Sequence, residues 1–202
     1  MNICRMDPSL TQMSHLQVLN LSFNGLREIV NIPSSLKELY LAGNEISEVN
    51  VSKHENLIHL GLSYNKLEFP QLLKITNVFP NLFCLDLSYN NVCDMRNVVS
   101  SLKELTCLKM IYLRGNPCAM TPRYKDILKK NFEDVKIIDG KQAFSEGESP
   151  SKKRKKKNHV EEHIEIVPTG TLDFEVRLLQ NIDGVYITEE MIKPELLEEL
   201  EP

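Results

Sequence analysis

Nothing in this 202-residue sequence approaches the roughly 20 consecutive apolar residues that a membrane-spanning helix requires, although 42% of its residues are hydrophobic. Met1-Asn2-Ile3-Cys4-Arg5 lacks the apolar core of a signal peptide, so the expectation is a soluble cytoplasmic protein. The cysteines Cys4, Cys84, Cys93, Cys107 and Cys118 are odd in number and contain no CxxC pair. That argues against both a disulfide framework and a zinc site, and leaves buried free thiols as the reading. Phosphate-cradling loops (GxxxxGK, GxGxxG), the nucleophile elbow GxSxG and the zinc helix HExxH are all missing. His15, His54, His59, His159 and His163 have no partners at ligand spacing. No enzyme, no cofactor and no metal are therefore expected.

What is present is repetition. The pattern LxxLxLxxN begins at Leu16, Leu36, Leu57, Leu82 and Leu108 and closes on Asn24, Asn44, Asn65, Asn90 and Asn116, with Ile111 as the one departure among the leucines. The steps between copies fall within the 20 to 29 residues of a leucine-rich repeat. The last two leucines of each copy alternate with an outward residue, which predicts a short strand buried on one face. The asparagine side chain then serves backbone groups of its own turn and of the next coil. Stacked copies give an α/β solenoid whose parallel strands line a concave face.

Between strands, the first two connections are too short for a full helix and return through Ile29 and Ile32, then Val49 and Val51. The next two have room for one: Leu72, Ile75 and Phe79 follow Pro70, and Met95, Val98 and Leu102 follow Asp94. Thr121-Pro122 predicts a capping helix with Tyr124, Ile127 and Leu128 on one face, and Val135 to Gly140 a strand and turn. Upstream, Asp7-Pro8-Ser9 reads as a helix start. Leu10 and Met13 read as the outer half of a repeat, either a minimal cap or the start of a shortened form of a longer solenoid.

The repeats, together with Leu113-Arg114-Gly115-Asn116-Pro117, Tyr124 and Ile138-Asp139-Gly140-Lys141, resemble intracellular leucine-rich-repeat proteins of the phosphatase-regulatory-subunit subclass. The resemblance covers about residues 10–144. It implies the fold, and it implies a scaffold in an axonemal or ciliary assembly, a spliceosomal complex or a phosphatase complex. Within the subclass the chain is most similar to leucine-rich-repeat proteins of ciliated tissues.

The net charge of -4 is segregated: residues 1–144 carry 16 basic and 14 acidic side chains, 145–157 carry 6 and 2, and 158–202 carry 2 and 12. The expected organisation is a solenoid with its cap over 1–144, a disordered basic linker over 145–159, and an acidic tail over 160–202. In the tail, residues 163–187 read as the opening hairpin of a β-sandwich. The run Lys152, Lys153, Arg154, Lys155, Lys156 and Lys157 is a linker or, alternatively, a nuclear-import or RNA contact.

With no reaction chemistry, function is expected on a surface, and the partner on it is a protein of unknown identity bound by a monomer. Residues alternating with the buried leucines form two columns on the strand face, Val18, Glu38, His59, Cys84, Met110 and Asn20, Tyr40, Gly61, Asp86, Tyr112. Outward tyrosines beside Asp86 and Arg114 suit a binding hot spot, so the candidate site is Glu38, Tyr40, His59, Asp86, Met110, Tyr112 and Arg114. A third column, Phe23, Gly43, Tyr64, Tyr89 and Gly115, reads instead as packing against the following turn. A partner held here would place the protein in the cytoplasm or cilium; use of the basic run would place it in the nucleus.

Overall fold

The computed structural model describes residues 3–144. The basic run, the tail hairpin and the acidic end lie outside these residues. The elements in chain order are β1 (Val18–Asn20), β2 (Glu28–Ile29), β3 (Glu38–Tyr40), β4 (Glu48–Val49), β5 (His59–Gly61), α1 (Phe69–Val78), β6 (Cys84–Asp86), α2 (Met95–Leu102), β7 (Met110–Tyr112), α3 (Tyr124–Asn131), β8 (Ile137–Ile138) and β9 (Lys141–Gln142). Strands β1, β3, β5, β6, β7 and β8 pair in parallel in that order, and β9 closes the edge as an antiparallel hairpin. The register is uniform, with Leu19, Leu39, Leu60, Leu85, Ile111 and Ile138 in one line.

This register is what the three-residue strands require. Each strand is too short to hold a partner by its own ladder, so the backbone bonds continue past it. Leu21, Leu41, Leu62 and Leu87 donate to Tyr40, Gly61, Asp86 and Tyr112 in the next repeat, and Phe23, Gly43, Tyr64 and Tyr89 donate one step further on. The leucines between these points are buried: Leu39, Leu41, Leu60, Leu62, Leu85, Leu87 and Leu113 are all 0% exposed. On the return side β2 pairs with β4. The longer repeats use α1, which starts at a proline turn, and α2, whose N-cap Asp94 accepts from the Arg96 amide. Leu72, Ile75, Val98 and Leu102 close the core from these helices.

The asparagines work as a ladder, and its direction corrects the sequence reading. Each side chain reaches back to the preceding coil. Asn90 Nδ2 donates to Leu62 O, Leu87 O and Ser88 O, while its Oδ1 accepts from the Leu67 amide. Asn44, Asn65 and Asn116 repeat the arrangement on Leu26, Ile46 and Val92. Asn24 does the same to the Ile3 amide at 2.9 Å. Ile3 therefore occupies the place of Leu26, and Met6, 1% exposed, the place of Ile29. Residues 3–12 form the outer half of a repeat, with a 3-10 turn at Pro8–Gln12 capped by Asp7.

Beyond Asn116 a second 3-10 turn, Pro117–Met120, leads to α3. That helix starts later than Thr121-Pro122 suggests, because Arg123 adopts φ 57° and breaks the turn before Tyr124. The β8–β9 hairpin closes through Asp139 and Gly140, both with positive φ, as a two-residue type I′ turn demands. Asp139 also fastens the cap. Its Oδ1 accepts the Leu113 and Arg114 amides at 2.8 and 3.0 Å, and its Oδ2 takes the Tyr124 hydroxyl and lies 3.2 Å from Lys125 Nζ.

Candidate functional site

The two strand-face columns stand in the predicted register, Val18–Glu38–His59–Cys84–Met110 and Asn20–Tyr40–Gly61–Asp86–Tyr112. Their exposure departs from expectation. Val18 is 49% exposed, but Tyr40 and Tyr112 are 3% and 5% exposed, so they are not the open tyrosines the alternation implied. His59 and Met110 are likewise buried. Part of the reason is lateral packing, since neighbouring strands lie only about 4.8 Å apart. The Tyr40 ring sits 4.6 Å from the His59 ring, and its hydroxyl donates to Glu38 Oε2 at 2.8 Å.

Glu38 and Asp86 are the acids of this face. Burial pushes both carboxyls above their ordinary range, against the hydrogen bonds from Tyr40 to Glu38 and from the Ser88 amide to Asp86. Among the described residues neither forms an ion pair. Arg114 is exposed at the margin, its guanidinium 5.5 Å from the Tyr89 ring. Among the described residues no group of three or more His, Cys, Asp or Glu could hold a metal, and no helix is long and apolar enough to cross a membrane.

His59 gives the face a measurable pH signature. Burial pulls its imidazole from 6.5 down to about 4, so between those values the unfolded chain holds a proton that the native ring refuses. Stability contributed by the neutral ring is therefore complete above pH 6.5 and falls as the pH drops towards 4, by about 3 kcal/mol at 1.36 kcal/mol per unit. Glu38 and Asp86 act with the opposite sign, because raised carboxyls take up protons earlier in the native state. Comparing urea midpoints of wild type and His59→Gln isolates the histidine: the variant should lose the acid-side slope. Parallel pH profiles would mean that the ring is not desolvated.

The third column holds what sequence reasoning missed. Phe23, Tyr64 and Tyr89 do lean on the following turn, yet they remain 66%, 46% and 39% exposed. A Cβ on Gly43 would meet the Phe23 ring at 2.6 Å, and one on Gly115 the Tyr89 ring at 2.4 Å. Tyr64 and Tyr89 stack at 4.3 Å with 9° between their planes. The signal in the sequence was the glycine in two of the five copies. It marks a left-handed backbone position, from which a side chain points out of the core.

Uniform parallel register, an inward leucine lattice and an asparagine ladder define a leucine-rich-repeat solenoid, and that is the fold of this chain. The Leucine Rich repeat family model matches residues 12–27. Over 140 residues the chain is 37% identical to human Leucine-rich repeat-containing protein 43 and 34% identical to the mouse protein, covering 66% of this chain and 21% of each relative. It thus spans about a fifth of the length of these relatives. Among solved structures, the Drosophila melanogaster SNF/U2A' complex is similar with a TM-score of 0.45 and 22% identity, covering 72% of this chain and 71% of that one.

Proposed function

We propose that this chain is a non-catalytic interaction scaffold that holds a protein partner across the concave strand face, in a ciliary or axonemal assembly. Leucine-rich-repeat proteins generally mediate protein–protein interaction, and the ciliary setting follows from the subclass that the repeats and cap resemble. The supporting observation is the pair of carboxylates on the strand face. Glu38 and Asp86 are half-buried, burial outweighs the pull of Lys37 on the first and of Arg114 on the second, and among the described residues neither forms a direct ion pair. Each carboxylate has one hydrogen bond and spare acceptor capacity, so a partner presenting Arg or Lys here gains a charge-assisted bond to an acid that has already lost part of its water. Arg114 at the margin orients the partner's own acids. The nuclear or RNA-associated reading rests on Lys152 to Lys157, outside the described residues.

Asp86→Lys in the full chain should abolish capture of the partner from an extract of ciliated cells, while the circular dichroism spectrum stays native. Asp86→Asn, which keeps shape and hydrogen bonding, should weaken capture rather than abolish it. Equal capture by wild type and the lysine variant would move the site off this face.

A further inference from the structure

The residue preceding each ladder asparagine has positive φ in all five repeats: Phe23 57°, Gly43 66°, Tyr64 54°, Tyr89 55° and Gly115 76°. Glycine takes this backbone freely, whereas an L side chain is strained there. Three of the five positions nevertheless carry a large aromatic, and all three are exposed. Neither the core nor the backbone asks for these rings.

Charged side chains stand close by. Two residues beyond Gly43 and Tyr64 stand Glu45 and Lys66, joined at 3.3 Å, and Arg27 lies 3.8 Å from the same carboxylate. With Arg114 over Tyr89, three exposed cations flank the ridge against one carboxylate. Asp86, on the strand face, is near enough to act on Tyr64 and on Arg114.

We propose that this ridge is a docking site for an amphipathic helix of a partner protein, its apolar stripe on Phe23, Tyr64 and Tyr89 and its acidic flank towards Arg27 and Lys66. The spacing favours a helix. Repeats advance by about 4.8 Å along the stack, close to the 5.4 Å of one helical turn, so side chains at i, i+3 or i+4, and i+7 meet successive repeats. An extended segment repeats on one face only every 6.8 Å or so and falls out of step. Gly43 carries no side chain and lets the Phe23 ring lie over the next turn, which lengthens the apolar ridge towards Tyr64. Single-stranded nucleic acid, the other ligand of exposed aromatics and cations, fits less well. Tyr64 and Tyr89 already cover each other's faces, Arg114 lies over the Tyr89 ring, and Asp86 is near enough to influence Tyr64. This ridge borders the strand face at Asp86 and Arg114 but takes its contacts from other side chains.

Random 16-residue peptides displayed on phage and selected on the full-length protein test the proposal. Enriched sequences should show apolar residues at i, i+3 or i+4, and i+7, with a net negative charge. Binding of a labelled enriched peptide, read by fluorescence anisotropy, should weaken at least tenfold in Phe23→Gly/Tyr64→Gly and similarly in Arg27→Glu/Lys66→Glu. Glycine suits the backbone at both aromatic positions, so the first variant retains its fold. Selection that yields nothing, yields extended or basic peptides, or yields binders indifferent to these variants overturns the proposal. So does a labelled oligouridylate that binds the ridge and displaces the peptide. Binders that ignore the ridge but are lost with Asp86→Lys would remove the ridge site and leave the strand-face site standing.

Discussion

Asn90→Ala should destabilise the solenoid by about 4 kcal/mol in urea unfolding, more than most single truncations of the leucine lattice that surrounds it. The side chain is 4% exposed and makes four hydrogen bonds, one accepted from the Leu67 amide and three donated to carbonyls of its own and the preceding repeat. Alanine leaves those partners buried between repeats, where each unsatisfied backbone group costs roughly 1–3 kcal/mol. The three carbonyls have second lone pairs and partial alternatives, so the amide of Leu67 dominates the loss. Asn24→Ala is the internal control. Its contacts are exposed or part-buried, water can replace them, and it should cost about 1 kcal/mol or less. Equal losses at the two positions would show that the ladder acts through turn propensity alone.

The repeat register was legible because it rests on a lattice in which every copy constrains the same interior. Leu39, Leu60 and Leu85 have no other place to go, and their alternation with Glu38, Tyr40 and Asp86 places β3, β5 and β6. Pro70 and Asp94 likewise announced α1 and α2, since a proline turn and an aspartate cap are local devices. The candidate site was less legible. Alternation separates inside from outside, but it does not report whether an outward Tyr40 stands in solvent or packs over His59. The direction of the asparagine ladder was hidden for a related reason, because one repeat's sequence cannot state which neighbour its side chain meets. The aromatic ridge was read correctly as packing on the following turn, but its exposure was not legible. Phe23, Tyr64 and Tyr89 look like core residues by hydropathy, and only the glycines at 43 and 115 betray the backbone that turns them outward. Arg123 held no comparable signal, so the delayed start of α3 could not be foreseen.

The cap should fail at Asp139 before it fails anywhere else. Its carboxylate side chain is 2% exposed and joins three separate pieces of chain: the end of β7 through the Leu113 and Arg114 amides, the start of α3 through the Tyr124 hydroxyl and Lys125, and its own β8–β9 turn. Asp139→Ala removes every one of these acceptors and places alanine at φ 49°, where aspartate is better tolerated. Breaking a buried ionic cluster from one side costs about 3–5 kcal/mol, and Asp139→Asn, which keeps acceptor oxygen and turn preference, should cost about half as much. Stability in a repeat array is transmitted between neighbours, and a terminal unit is held from one side only. The loss should therefore appear first as local opening. In hydrogen exchange, amides from Leu113 to Gln142 should speed up in the alanine variant while those of β3, β5 and β6 keep their protection. Uniform acceleration from Leu36 onward would instead make the cap and the repeats one cooperative unit, with Asp139 acting on the whole of it.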